Sequence, residues 1–253
     1  MKPSTCYLIC AVQRSGSTLL CEALRNTGLA GLPDEYFLCT EDYSWQDSPL
    51  AREHGVSTNA DYLPLVLRRG TTPNGVFGAK VMWNYWEPAI AHLQAIPAYR
   101  GLDALEMLAT LFPNLHYIWL VRRDRVQQAV SWAKAAKTGV WSRRQESPPA
   151  LAQEPDFDFE LVDNLVRLID EGERGWARFF QACGVEPHKV FFSDVVQSYE
   201  QTALGILDYL GVPHPADLVF KERKMKRQSD GLDARWVQMY REAKETRGKH
   251  NAR

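Results

Sequence analysis

Residues 7–27 place a buried strand, a short polar turn and a helix in direct succession, and few folds accommodate that order. Tyr7-Leu8-Ile9-Cys10-Ala11-Val12 is an unbroken apolar run, the pattern of a central parallel strand covered on both faces. Gln13-Arg14-Ser15-Gly16-Ser17-Thr18 follows, and the amphipathic stretch beginning Leu19-Leu20-Cys21 ends near Gly28, giving a helix over about 15–27. Free amide N–H groups and the positive end of the helix dipole make such a helix start an anion site. Gly16 lets the backbone approach a ligand, the hydroxyls of Ser15, Ser17 and Thr18 add donors, and Arg14 adds a fixed positive charge. The turn is built for a phosphate, but not in the manner of a nucleotide triphosphatase. That loop needs Gly-x-x-x-x-Gly-Lys-Ser/Thr; here the first glycine is missing and Ser17 stands where the lysine belongs.

A second junction of the same kind lies about a hundred residues on. His116–Val121 reads as another buried strand, Arg122-Arg123-Asp124-Arg125 as its polar end, and about 124–137 as a helix ending near Thr138-Gly139. Strands are further expected over 76–82 and 189–192. Helices are expected near 60–69, 101–111, 158–182 and 198–210, the last stopped by Gly211 and Pro213. In the long helix Leu161, Leu165 and Leu168 are read as one side, with Trp176 and Phe180 beyond. Residues 29–75, punctuated by Pro33, Pro49, Pro64 and Pro73, read as largely irregular. Strands alternating with helices give an α/β fold, a central parallel sheet flanked by helices with right-handed crossovers, in one domain over 1–253. Segments of about 38–72 and 140–157 are expected to be mobile and to lie on the substrate side. Ligands in such sheets sit at the carboxyl ends of strands, which sets Arg14, Lys80 and Arg122 on one rim.

Both junctions, in this order, resemble those of sulfotransferases. Gln13-Arg14-Ser15-Gly16-Ser17-Thr18 is similar to their 5′-phosphosulfate loop, Pro-Lys-Ser-Gly-Thr-Thr, with Gln13-Arg14 in place of Pro-Lys. Arg123 and Ser131, eight residues apart, match the pair that binds the 3′-phosphate of 3′-phosphoadenosine 5′-phosphosulfate (PAPS), whereas the bacterial trehalose 2-sulfotransferase family carries the arginine one place earlier, at Arg122; both stay open. A guanidinium fork and a helix hydroxyl suit a phosphate in either case. The trehalose family is the nearer resemblance, through Gln13–Leu20, Pro33-Asp34-Glu35-Tyr36-Phe37, Thr72–Asn84, Gln128–Ser131, Arg227–Ser229, Trp236-Val237 and Tyr240-Arg241. Residues 39–71 match it poorly.

The resemblance implies a P-loop-like sulfotransferase fold and transfer of the sulfuryl group of PAPS to a carbohydrate hydroxyl. The acceptor is the trehalose 2-hydroxyl or a related sugar or glycolipid. It implies donor contacts from Arg14, Ser15, Gly16, Ser17, Thr18, Leu19, Arg122 or Arg123, Ser131, Lys226 and Arg227, and a homodimer. Such a transfer needs a base for the hydroxyl proton, cations for charge on the sulfonate and bridging oxygen, and in-line positioning. Arg14 and Lys80 are the charge stabilisers. Where many sulfotransferases carry Lys-Thr-His, this chain has Met82 at the histidine, so Glu35 is taken as the base, with Asp34 and Glu41 as competitors. Gln13, Pro33 and Asp34 are read as acceptor contacts, and Tyr36, Phe37, Trp45 and Trp83 as faces for a sugar. The alternatives are a nucleotide-dependent kinase, for which Asp124 and Asp194 lack a Walker lysine, and a nucleotide-binding module without turnover.

Composition narrows the rest. With 30 Lys and Arg against 31 Asp and Glu there is no global attraction for nucleic acid or membrane, and no run reaches membrane-spanning length. Residues 221–253 differ, with 11 Lys and Arg against 5 Asp and Glu, as a solvated helix face or a cover for a polyanion. Five cysteines form no framework, and Cys6 and Cys10 would stand ~13 Å apart on one strand. Reduced thiols and the lack of a leader suggest a cytoplasmic protein. Six scattered histidines predict no metal.

Overall fold

The computed structural model describes residues 2–141, 155–225 and 231–251. Four parallel strands form the sheet: β1 Thr5–Ala11, β2 Val76–Met82, β3 Leu115–Val121 and β4 His188–Phe191, in the order β2-β1-β3-β4. All of β2, and all of β1 past Thr5, is buried, as continuous apolar runs require when helices cover both faces. The period of two divides β1 between two cores. Cys6, Leu8, Cys10 and Val12 face one, with α3 Asn59–Gly70, α4 Trp83–Gln94, α5 Ala104–Leu111, α6 Arg125–Thr138, α7 Phe159–Cys183 and α10 Gly231–Asn251. Tyr7, Ile9 and Ala11 face the other, with α1 Ser17–Thr27, α8 Phe192–Gln197 and α9 Tyr199–Tyr209. Ile9 registers with Lys80 on one side and Ile118 on the other, so β1, β2 and β3 end together and their following loops share one rim.

The helix ends follow from local chemistry. Asp124 caps α6 by accepting from Gln127 N at 2.9 Å, Asp158 caps α7 through Leu161 N at 3.0 Å, and Gly28, Gly139 and Gly184 close α1, α6 and α7 in the left-handed region. All five cysteines are free thiols. Among the described residues, no helix is long and apolar enough to cross a membrane.

Several expectations change. Residues 39–71 hold more helix than their prolines suggest. A 3-10 turn at Trp45–Asp47 leads into α2 Pro49–Glu53 and then α3, which tolerates Pro64 in its interior. The helix α4 went unread because its Trp-Asn-Tyr-Trp start and Pro88 look like a loop. The expected helix 198–210 is preceded by the one-and-a-half turns of α8. Leu168 is 41% exposed; the buried stripe of α7 runs Val162, Leu165, Ile169, Gly172, Trp176 and Phe180, stepping by three and four. Most of 140–157 lies outside the described residues, as do Lys226 and Arg227. The basic C-terminal helix α10 is docked by Trp236 and Tyr240, both buried, and its cations pair with acids of α7 and with the α6 cap. These pairs are Lys244 with Asp163 at 2.5 Å, Arg241 with Asp124 at 3.3 Å, and Arg247 with Glu160.

Candidate active site

The chain leaves β1 through two left-handed residues, Arg14 at φ 63° and Gly16 at φ 95°. Glycine is required at the second: a Cβ there would lie 2.3 Å from a ring carbon of Phe192. Arg14 has no such excuse, and a non-glycine residue held at positive φ is a strain that functional turns keep. Ser15 N bonds to Val12 O at 3.2 Å, and Leu19 and Leu20 return to the Gly16 carbonyl. The amides ahead of Leu19 therefore start α1 without a preceding helical carbonyl. The Ser15 hydroxyl is fully buried and has no hydrogen-bond partner among the described residues.

Two guanidinium groups crowd this turn. Arg14 Nε donates to Ser131 Oγ on α6 at 3.1 Å, and its Nη1 donates to the Trp141 carbonyl. Arg122 donates through Nη1 to the Arg14 carbonyl at 3.1 Å and through Nη2 to Gln127 Oε1 at 2.8 Å. It lies 4.6 Å over the Phe192 ring, and its buried Nε has no hydrogen-bond partner among the described residues. Burial and then the charge of Arg122 bring the Arg14 pKa down to about 10, with Asp233 opposing. Burial also lowers Arg122, against Asp124 and Asp233. Cations destabilised by burial and by each other are relieved by an anion placed between them. Of the two arginines left open by the sequence, Arg122 meets the loop; Arg123 is exposed and stacks 3.8 Å over Phe191.

On the other side of the turn stand Lys80 and Glu35. Asp34 pairs with the free edge of β2 as a parallel bridge to Ala79, its carbonyl accepting from Lys80 N at 2.9 Å. This brings the next side chain to the lysine: Glu35 Oε2 is 3.1 Å from Lys80 Nζ, which also donates to Thr18 Oγ1 at 3.3 Å. Lys80 is 6% exposed. Burial pulls its pKa down, but the charge and hydrogen bond of Glu35 prevail and leave it above the ordinary lysine value. A carboxylate is thereby joined through one ammonium to a hydroxyl of the phosphate-type turn. Asp34 is turned elsewhere, toward Arg25 at 3.8 Å and the Glu35 amide, and Glu41 is exposed in the turn between Thr40 and Tyr43.

The remaining sequence candidates divide. Gln13 is 7% exposed, its amide donates to Asn84 Oδ1, and Gln128 Nε2 holds its carbonyl at 2.7 Å. Trp83 is half-buried against Gly172 and Gly175 of α7 and edge-on to Trp176. Pro33 is buried, its carbonyl taken by Arg25 at 2.6 Å. Tyr36 gives its hydroxyl to Leu32 O at 2.7 Å and stacks on Phe77. Phe37 and Trp45 pack edge to face inside the core at 3% and 0% exposure, which leaves neither a face for a sugar. Leu19 is buried behind the turn. Sequence reasoning missed Phe192, which lies under both Gly16 and Arg122, and Asn84, hidden by the unread α4. It also passed over Trp141, half-exposed with its carbonyl on Arg14. A Phe-Phe pair at the end of the last strand was the one available signal for the first of these.

Comparison with known proteins gives the chain a family. The family model described as Stf0 sulphotransferase matches residues 6–243. A trehalose 2-sulfotransferase of Mycolicibacterium smegmatis is 30% identical over 264 residues, covering 94% of this chain and 94% of that protein. One of Mycobacterium tuberculosis is 28% identical over 256 residues, covering 93% and 94%. The sulfotransferase domain of the Synechococcus PCC 7002 olefin synthase shares the fold, with a TM-score of 0.51 at 16% identity over 94% of this chain and 95% of that one. A match that starts within β1 and ends within α10 takes in both strand-to-helix junctions and the carboxylate between them, and the chain belongs to the Stf0 sulphotransferase family.

Proposed function

We propose that this chain moves the sulfuryl group of PAPS to a sugar hydroxyl, with the 2-hydroxyl of trehalose as the first acceptor and a related sugar or glycolipid as the next. The names of the two mycobacterial relatives support the acceptor. The donor is supported by fit: a buried Ser15 hydroxyl and a buried Arg122 Nε have no hydrogen-bond partner among the described residues, and they stand by the amides that start α1. The amides of Gly16, Ser17 and Thr18, with Arg14 and Ser15, would hold the 5′ end, and Arg122 and Ser131 the 3′-phosphate. PAPS supplies an activated sulfuryl group and leaves as adenosine 3′,5′-bisphosphate.

The observation that carries the reading is the Glu35–Lys80–Thr18 chain. Glu35 takes the acceptor proton at its carboxylate. As it does so, Lys80 loses its anionic partner, and its positive charge becomes available to the turn at the moment negative charge develops there. Lys80 is suited to this because ionised Glu35 holds its pKa above the ordinary lysine value against burial, so the ammonium is in place before the proton moves. The same reading has the chain work as a homodimer in the cytoplasm, consistent with five unpaired thiols. The test is sulfuryl transfer from PAPS to trehalose and a sugar panel, read by mass spectrometry, for wild type and Glu35→Gln. The variant is expected to lose roughly 10²- to 10⁴-fold in turnover while keeping its affinity for the bisphosphate. Undiminished turnover would remove Glu35 as the base.

A further inference from the structure

Beyond the arginines, the cleft contains an ion pair that the proposed chemistry does not use. Lys134 lies three residues after Ser131 on α6, hence on the same helix face as the hydroxyl that receives Arg14. Its ammonium meets Asp233 Oδ1 at 2.5 Å, with side-chain exposures of 15% and 7%. Asp233 belongs to the first turn of α10, the basic helix laid across α6 and α7. Its negative charge reaches past Lys134, since it raises the pKa of both Arg14 and Arg122. A second acid that raises Arg122, Asp124, caps α6 and is engaged by Arg241. A buried carboxylate paired with one cation and within electrostatic reach of two more has an evident structural use in docking α10. It also has an unavoidable electrostatic consequence for any anion that enters.

We propose that Asp233 is the resident counter-ion of the donor-phosphate cleft and that Lys134, which it holds, is a further phosphate-binding cation. The ligand class is the adenosine bisphosphate of the donor and product, so this inference rests on the PAPS reading. Without ligand, Asp233 partly neutralises Arg14, Arg122 and Lys134 and keeps α10 in place. With a bisphosphate bound, the same carboxylate faces a like charge, weakens the grip, and so favours release of a product that the cations would hold more tightly in its absence. The two members of the pair therefore act with opposite sign on affinity, which a purely architectural ion pair does not.

The experiment is calorimetric titration of the full chain with adenosine 3′,5′-bisphosphate at low and at near-physiological salt. Asp233→Asn is expected to tighten binding roughly three- to tenfold and to steepen its salt dependence, and Lys134→Met to weaken it by a similar factor. Should Asp233→Asn fail to fold, the double variant K134M/D233N carries the test: its affinity is expected within about threefold of wild type, well above that of Lys134→Met alone. If both single variants weaken binding, if neither changes it, or if the double variant is no better than Lys134→Met, the inference is overturned while the PAPS reading stands. A wild-type chain that binds no bisphosphate overturns both together.

Discussion

At the scale of single residues, the site is a matter of which cation meets which oxygen. Arg122 and Arg123 are neighbours in sequence with nearly identical surroundings on paper, yet one bonds the loop carbonyl and the other lies on Phe191. Arg122→Ala is therefore expected to lower affinity for adenosine 3′,5′-bisphosphate roughly 10- to 100-fold, the worth of a charge-assisted hydrogen bond. Arg123→Ala is expected to change it by less than about threefold, and calorimetry separates the two. The sequence could not make this choice, because a strand end alternates its side chains and a one-residue error in the end swaps them. Glu35 and Lys80 were legible as types but not as neighbours, since the bridge of Asp34 to Ala79 that joins them is long-range backbone pairing. Glu173 was not legible at all. It looks like one more surface acid in a charged helix, but it is 6% exposed, and burial pushes its pKa up to about 7 against the pull of Arg125 and Lys189. The folded chain thus holds a proton that the unfolded chain releases near its ordinary value. Stability should fall as pH rises from about 4.5 to about 7, by on the order of 1–3 kcal/mol, and level off above. Glu173→Gln should abolish that slope in melting curves between pH 5 and 8; an unchanged slope would assign it to other groups.

At the scale of elements, the rim is held by close approach of helix to helix. Trp83 starts α4 where β2 ends, and it lies on α7 at Gly175, where a Cβ would come 2.0 Å from the indole. Gly175→Ala should cost about 1–3 kcal/mol through overpacking and should displace the start of α4, including Asn84. Gly205→Ala, in the exposed middle of α9 with open space around it, should instead stabilise by about 0.5–1 kcal/mol. Parallel melting of the two variants checks both signs. Elements flanking the turn were readable because apolar runs and glycine stops agreed. The helices α2 and α4 were not, because Pro49 and Pro88 stand at the start of or inside helices that tertiary packing keeps intact.

At the scale of the whole molecule, the parallel sheet and the common end of its strands followed from alternating strands and helices, while the strand order β2-β1-β3-β4 did not, since pairing partners leave no mark on local pattern. That order is what sets Lys80 and Arg122 on opposite sides of the β1 turn, so a bisphosphate bound there ties β1, β3, α1 and α6 into one unit. Ligand at about a hundred times its dissociation constant should stabilise the chain by about 2.7 kcal/mol and raise its melting temperature by roughly 5–10 °C. ATP with magnesium should give no comparable shift, which a kinase would. The most direct test is a crystal structure of the chain with adenosine 3′,5′-bisphosphate. The account requires the 5′-phosphate against the amides of Gly16, Ser17 and Thr18 and the 3′-phosphate between Arg122 and Ser131. A nucleotide found elsewhere, or one whose 3′-phosphate turns to Arg123, would contradict it.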